Sequence, residues 1–177
     1  MQVHVAHLLR QPQGYEARHE LRQTHLRLED VVLSDLRGEV ALLRTDRGVL
    51  VSVVASSTIR ETCSRCLADM DYRFSLDFQE EYLPTVDVQT GLPLPLPEDG
   101  DNFLIGADFV LDLEEALRQY LVMGKPAKPL CQPQCRGLCP RCGQDINRGL
   151  CSCPQEGDDR WETIGGLAET LRREERS

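Results

Sequence analysis

With 177 residues, 41% of them hydrophobic and 28% charged, the chain is long enough for one domain with a real core plus a small appendage held by something other than apolar burial. Aromatics at only 5% exclude a large aromatic ligand cage and make the expected core aliphatic. A formal net charge of −9 and a pI near 4.9 argue against a chain that grips nucleic acid over its whole surface.

The first eleven residues are broken by His4, His7 and Arg10, so no secretory signal is read there. No apolar run approaches the roughly 18 residues of a membrane span, and the expected location is the cytoplasm. His4, His7, His19 and His25 all fall early in the chain, outside any H-E-x-x-H pattern, and read as ordinary surface or core histidines. From residue 26 to 78 the pattern is strand-like. Two β-branched runs, residues 39–45 and 49–54, flank the turn signal Asp46-Arg47-Gly48 and predict a hairpin. Tyr72, Phe74, Leu76 and Phe78 then alternate with Arg73, Ser75, Asp77 and Gln79, the period of a strand with one buried face. Cys63-Ser64-Arg65-Cys66 lies between these strands and is placed at a strand-to-strand turn.

Residues 92–102 begin Leu92-Pro93-Leu94-Pro95-Leu96-Pro97 and continue into acids. Fixed φ and missing amide donors predict an exposed loop dividing the sheet region from the remainder of the chain. Asp112 with Glu115 is a capping-box pattern, and Leu113, Ala116, Leu117, Tyr120 and Leu121 come after it at helical spacing until Gly124 and Pro126. Asp159 with Glu162 repeats the pattern ahead of Trp161, Ile164, Ala168 and Leu171. Gly165 and Gly166 cost that second helix about 1 kcal/mol each, so it needs docking to persist. The predicted fold is α+β: an antiparallel sheet or small open barrel with two helices and a Cys-rich zinc-binding C-terminal segment. The core domain spans residues 1–124, and a zinc-binding tail with the last helix, 125–177, docks on it.

Charge is segregated along the chain. Residues 1–68 carry +1, residues 69–117 carry −12, residues 118–150 carry +5 and residues 151–177 carry −3. The cysteine-rich segment is the basic one.

The eight cysteines fall as Cys63-x2-Cys66 and then Cys131-x3-Cys135-x3-Cys139-x2-Cys142-x8-Cys151-x-Cys153. A tetrahedral zinc ion takes two such close pairs, because a short turn brings two thiolates to one metal. Eight ligands make two complete structural sites. The preferred partition gives one ion to Cys63, Cys66, Cys131 and Cys135, clipping the tail to the sheet, and the other to Cys139, Cys142, Cys151 and Cys153. An alternative joins Cys131 and Cys135 to Cys139 and Cys142, and spacing leaves it open. Catalytic zinc keeps an open position and usually mixes in His or Glu; closed all-thiolate sites point to a chain that is not an enzyme. A thiol redox role for Cys63-x2-Cys66 lacks the helix that should come after it. Phosphate-loop, dinucleotide and hydrolase motifs are absent.

Val5-Ala6-His7-Leu8-Leu9 with Pro12 and Gly14, Cys63-Ser64-Arg65-Cys66-Leu67 before Glu80-Glu81-Tyr82, and Leu111-Asp112-Leu113 form a recognisable series. It continues through Pro129-Leu130-Cys131, Cys135-Arg136-Gly137-Leu138-Cys139-Pro140-Arg141-Cys142-Gly143, Asn147, Cys151-x-Cys153 and Asp159-Arg160-Trp161. In these residues the chain resembles the YceD family of large ribosomal RNA subunit accumulation proteins. The resemblance implies a role in accumulation or processing of large-subunit ribosomal RNA and supplies no catalytic residues. Some members keep the counterpart of Cys63 and Cys66 while losing much of the later cluster, which implies two separable sites.

Lys125, Lys128, Arg136, Arg141 and Arg148 are the candidate phosphate contacts if the chain touches a ribosomal RNA precursor. The acidic block is the candidate surface for a basic ribosomal protein or assembly factor. A membrane or a small-molecule substrate is not expected. Two other readings stand beside this one: a zinc-stabilised protein-binding or regulatory module without RNA contact, and a thiol-based redox sensor.

Overall fold

Period-2 alternation of aliphatic and polar residues dictates most of the architecture seen in a computed structural model that describes residues 1–29, 31–97 and 103–154. In chain order the elements are β1 (Gln2–His4), α1 (Ala6–Leu9), β2 (Glu16–Leu28), β3 (Val31–Arg44), β4 (Val49–Thr62), β5 (Asp69–Pro84), β6 (Phe103–Ile105), β7 (Val110–Asp112) and α2 (Glu114–Gly124). The chain divides into two compact units, Met1–Pro133 and Gln134–Ser177. Among the described residues, no helix is long and apolar enough to cross a membrane.

In the first unit, β2 to β6 form one sheet in sequence order, antiparallel as far as β5 and parallel between β5 and β6. The predicted hairpin is β3–β4, with Arg44 paired to Val49 across the turn. Along β4, Val49, Val51, Val53, Ala55 and Ile59 all point into the core while Ser52, Val54 and Ser56 face away. Each fully buried Val, Leu or Ile contributes about 1.5–3 kcal/mol relative to exposure. Ser57, the polar residue on the buried face, donates its hydroxyl to the Ser34 carbonyl at 3.0 Å, which removes the cost of burying it. A bulge between Ser34 and Arg37 holds Asp35 at φ 54°. The extra residue lets both Leu33 and Leu36 reach the core despite their odd spacing.

Helix α2 covers the buried face. Leu117 and Leu121 are fully buried there, and the Tyr120 ring stacks on Phe78 with centroids 4.2 Å apart. The Tyr120 hydroxyl donates to Glu80 at 2.6 Å. The small β1–β7 pair carries Asp112, whose carbonyl accepts the Tyr82 hydroxyl at 3.1 Å.

Four expectations need correcting or bounding. The fold is mostly β, and the sheet is open, with β2 and β6 at its edges, rather than a barrel. The proline loop does not end the sheet, because β6 comes after it and pairs with β5; a bridge between Val86 and Pro93 holds the start of that loop, and residues 98–102 lie outside the described residues. The capping box does not form. Asp112 ends β7 and its carboxylate accepts the Glu114 amide at 3.0 Å, but Glu115 turns along the helix to Arg118 and Gln119. Of the two predicted helices, one is α2; the other, from Asp159, lies outside the described residues. The second helix of the described fold is α1, a single turn that buries Leu8 and Leu9.

Strand β3 packs tightly against β4 at Gly38, where a Cβ would stand 2.2 Å from the Val54 carbonyl oxygen and 2.5 Å from the Ala55 Cα. These are backbone atoms of a paired strand and cannot rotate away. Gly38→Ala is therefore expected to destabilise the chain by about 1–3 kcal/mol, read as a lower urea midpoint at unchanged slope; an unchanged midpoint would show that the strands separate freely.

Candidate metal centres

The β4–β5 pairing runs to Thr62 opposite Asp69, so residues 63–68 must reverse the chain. They do so with the Cys63 amide on the Ala68 carbonyl and the Leu67 amide on the Cys63 carbonyl, both at 2.9 Å, and with Leu67 at φ 58°. This tight reversal aims Cys63 and Cys66 the same way. The Ser64 amide donates to the Pro129 carbonyl at 2.9 Å, which lays the segment preceding Cys131 beside the turn. The Cys66 and Cys131 sulfurs are 3.6 Å apart. All eight cysteines are free thiols. A disulfide needs about 2.05 Å, whereas thiolates on a tetrahedral ion, with metal–sulfur bonds of about 2.3 Å, stand about 3.8 Å from one another.

The sulfurs of Cys63, Cys66, Cys131 and Cys135 all lie within 4.8 Å of one another, and those of Cys139, Cys142, Cys151 and Cys153 form a second such group. Each group can hold a metal ion. Among the described residues, the structure does not bring Cys131 and Cys135 together with Cys139 and Cys142, nor does it add a histidine to either group. The four histidines are exposed on β1, α1 and β2.

The second group is built on a knuckle over residues 137–146. The Cys139 amide donates to the Gln144 carbonyl at 2.8 Å, the Gly143 amide to the Cys139 carbonyl at 2.9 Å and the Ile146 amide to the Gly137 carbonyl at 3.0 Å. Gly137 and Gly143 sit at φ 78° and 73°, which side chains with a Cβ rarely adopt. Beside this group is a concavity of about 330 Å³ lined by Pro140, Arg141, Ile146, Leu150 and Pro154 together with Cys139, Cys151 and Cys153.

Electrostatics differ from one thiol to the next within the groups. Amide donors from Cys66, Cys131 and Arg65 pull the Cys63 thiol down to about 6, and amides of Cys142 and Arg141 do the same for Cys139. Its contact with the Cys142 sulfur, with burial, pushes Cys153 up to about 12. In the second group the first proton leaves easily and the last resists, because thiolates a few ångströms apart repel.

Of the candidate phosphate contacts, Lys125 pairs with Glu61, and Arg148 approaches Asp145 at 3.5 Å. Lys128, Arg136 and Arg141 are exposed. Five of the thirteen acids of residues 69–117 lie on β5, where Arg60 meets Asp71 at 3.0 Å. A separate cleft of about 440 Å³ opens in the first unit between Leu9, Arg44, Arg47, Val86, Leu94 and Pro97; no sequence pattern foretold it, since its walls come from four distant segments. Sequence reasoning also gave Asn147 no role. Its side chain accepts the Arg136 amide at 2.8 Å and donates to the Cys135 sulfur at 3.4 Å. An amide side chain just past a glycine-rich knuckle was the available signal.

Four-thiolate binding by the second group must displace at least the Cys153 proton at neutral pH. Affinity for Co2+ is therefore expected to rise by about tenfold or more per pH unit between pH 7 and 9, measured by chelator competition. A pH-independent affinity would mean that fewer than four thiolates bind.

A family model described as "Large ribosomal RNA subunit accumulation protein YceD" matches residues 51–168. An uncharacterized protein of Mycobacterium bovis is 29% identical over 188 aligned residues, covering 98% of this chain and 86% of the relative. Two uncharacterized proteins of Mycobacterium tuberculosis strains match to the same extent. No solved structure matches. The family's description names accumulation of ribosomal RNA rather than a reaction. The matched region exceeds half the chain and contains all eight cysteines, and the chain belongs to the YceD family of large ribosomal RNA subunit accumulation proteins.

Proposed function

We propose that this protein is a non-enzymatic, zinc-stabilised factor that promotes accumulation or processing of large-subunit ribosomal RNA in the cytoplasm. The family match over residues 51–168 carries the reading. The two four-thiol groups support zinc in a structural role: closed all-sulfur sets suit a d10 ion without geometric preference of its own and leave no position for a catalytic water. Zinc bound there contributes directly to folding, since a segment with few buried aliphatic residues lacks other means of holding its shape.

The proposed partner is a large-subunit ribosomal RNA precursor, or a ribosomal protein or assembly factor bound to it. Lys125, Lys128, Arg136, Arg141 and Arg148 are the candidate phosphate contacts, with Lys128, Arg136, Arg141 and Arg148 exposed and Lys125 and Arg148 also facing carboxylates. These ion pairs, and the absence of any aromatic residue between Tyr120 and Trp161 on which bases would stack, favour a second reading. In it, the zinc segment binds protein only.

Native mass spectrometry is expected to find two zinc ions per chain, and one after Cys66→Ser. In a low-salt gradient of lysate, the protein should travel with large-subunit precursors and lose them on RNase treatment or chelation. Charge reversal at Lys128, Arg136 and Arg141 should abolish that co-migration. Association that survives both RNase and charge reversal selects the protein-binding reading, and a protein that stays at the top of every gradient overturns both.

A further inference from the structure

The side chain of Asn147 uses every hydrogen-bonding group it has. Its amide oxygen accepts the Arg136 backbone N–H at 2.8 Å. Of its two amide protons, one goes to the Asp145 carboxylate at 2.7 Å and the other to the Cys135 sulfur at 3.4 Å. The Asn147 backbone N–H also donates to Asp145, at 2.9 Å. This network fixes which end of the amide is oxygen, since a flipped side chain would turn its oxygen toward a carboxylate and a sulfur and its NH2 toward another N–H donor. Cys135 itself is buried, only 1% exposed.

Asp145 belongs to the knuckle that carries the second thiol group: it bridges to Leu138, next to Cys139, and its carbonyl accepts the Arg148 amide at 3.2 Å. Cys135 belongs to the first group. Asn147 thus runs from the fold of one group to a thiol of the other.

We propose that Asn147 is a positioning residue that orients the Cys135 thiolate within the first group and makes metal binding there depend on the knuckle that carries the second. The inference rests on the metal-binding reading of both groups. An N–H donor beside a thiolate both stabilises its charge and restricts the sulfur's rotamer, and a ligand held in place before the ion arrives loses less entropy on binding. When the second group is empty, the knuckle loses its staple, Asp145 no longer holds Asn147, and Cys135 loses the amide donor that orients it. The two groups therefore fill cooperatively through one amide side chain.

The test uses the full chain and Co2+ as the probe, with thiolate-to-metal charge-transfer absorption reporting occupancy. The pair Cys142→Ser and Cys151→Ser empties the second group. In an otherwise wild-type chain this is expected to weaken Co2+ binding at the first group by about tenfold or more. In an Asn147→Leu background the first group is already weakened by a similar factor, and emptying the second adds less than about twofold, the non-additivity expected of residues acting in one network. Loss of the N–H donor should also move the first group's charge-transfer band to longer wavelength, a change that a general loosening of the fold does not predict. If circular dichroism shows that Asn147→Leu is unfolded, Asn147→Ser, which is too short to reach the sulfur, carries the same test. Fully additive losses, or an unmoved band, overturn the inference while leaving two metal sites intact. A wild-type chain that binds no Co2+ overturns the metal reading itself.

Discussion

The register of β4 against β5 is the constraint on which the rest of the structure depends. Pairing runs without a slip from Val49 opposite Tyr82 to Thr62 opposite Asp69. At one end it buries Val49, Val51 and Val53 against Phe78 and Tyr82; at the other it leaves residues 63–68 to turn, with Cys63 and Cys66 inside the turn. A one-residue slip would turn every aliphatic side chain of β4 toward water and move the first two thiols off their partners. Core packing therefore also positions half of the first thiol group.

The two units rely on different sources of stability. The first has an aliphatic core closed by α2 and a polar outer face. Over its described residues, the second is rich in glycine, proline and cysteine and poor in regular elements, and its order comes from turn hydrogen bonds around clustered sulfurs. Gathering four thiols within 4.8 Å is unfavourable for their ionised forms unless a cation compensates, and the opposed displacements of Cys139 and Cys153 express that conflict. A metal ion held there would resolve it in the folded state, where the thiols are already gathered.

Charge obeys the same division. The acidic stretch lies largely on β5 and α2, partly neutralised by Arg60 and Arg118, while residues 118–150 carry a net charge of +5 with Lys128, Arg136, Arg141 and Arg148 exposed.

Alternation by itself determined the β3–β4 hairpin, the buried face of β5 and the turn that holds Cys63 and Cys66, because a period of two admits no other regular structure over such lengths. Helix α2 was legible from Leu117 and Leu121 at helical spacing, and the eight cysteines from their close pairs. Strand β2 escaped because it is an edge strand whose residues 16–28 are mostly polar and exposed, so its partner β3 rather than its own pattern holds it extended. Strands β6 and β7 are three residues each, too short to show a period. The bulge at Asp35 hid the continuity of β3 by shifting its alternation. Sequence spacing left two partitions of the thiols open, since local turns fix only which sulfurs are neighbours in the chain. Tertiary structure decided the grouping, through the Ser64 amide bond to Pro129 that lays the approach to Cys131 beside a turn more than sixty residues earlier, a contact no local pattern encodes.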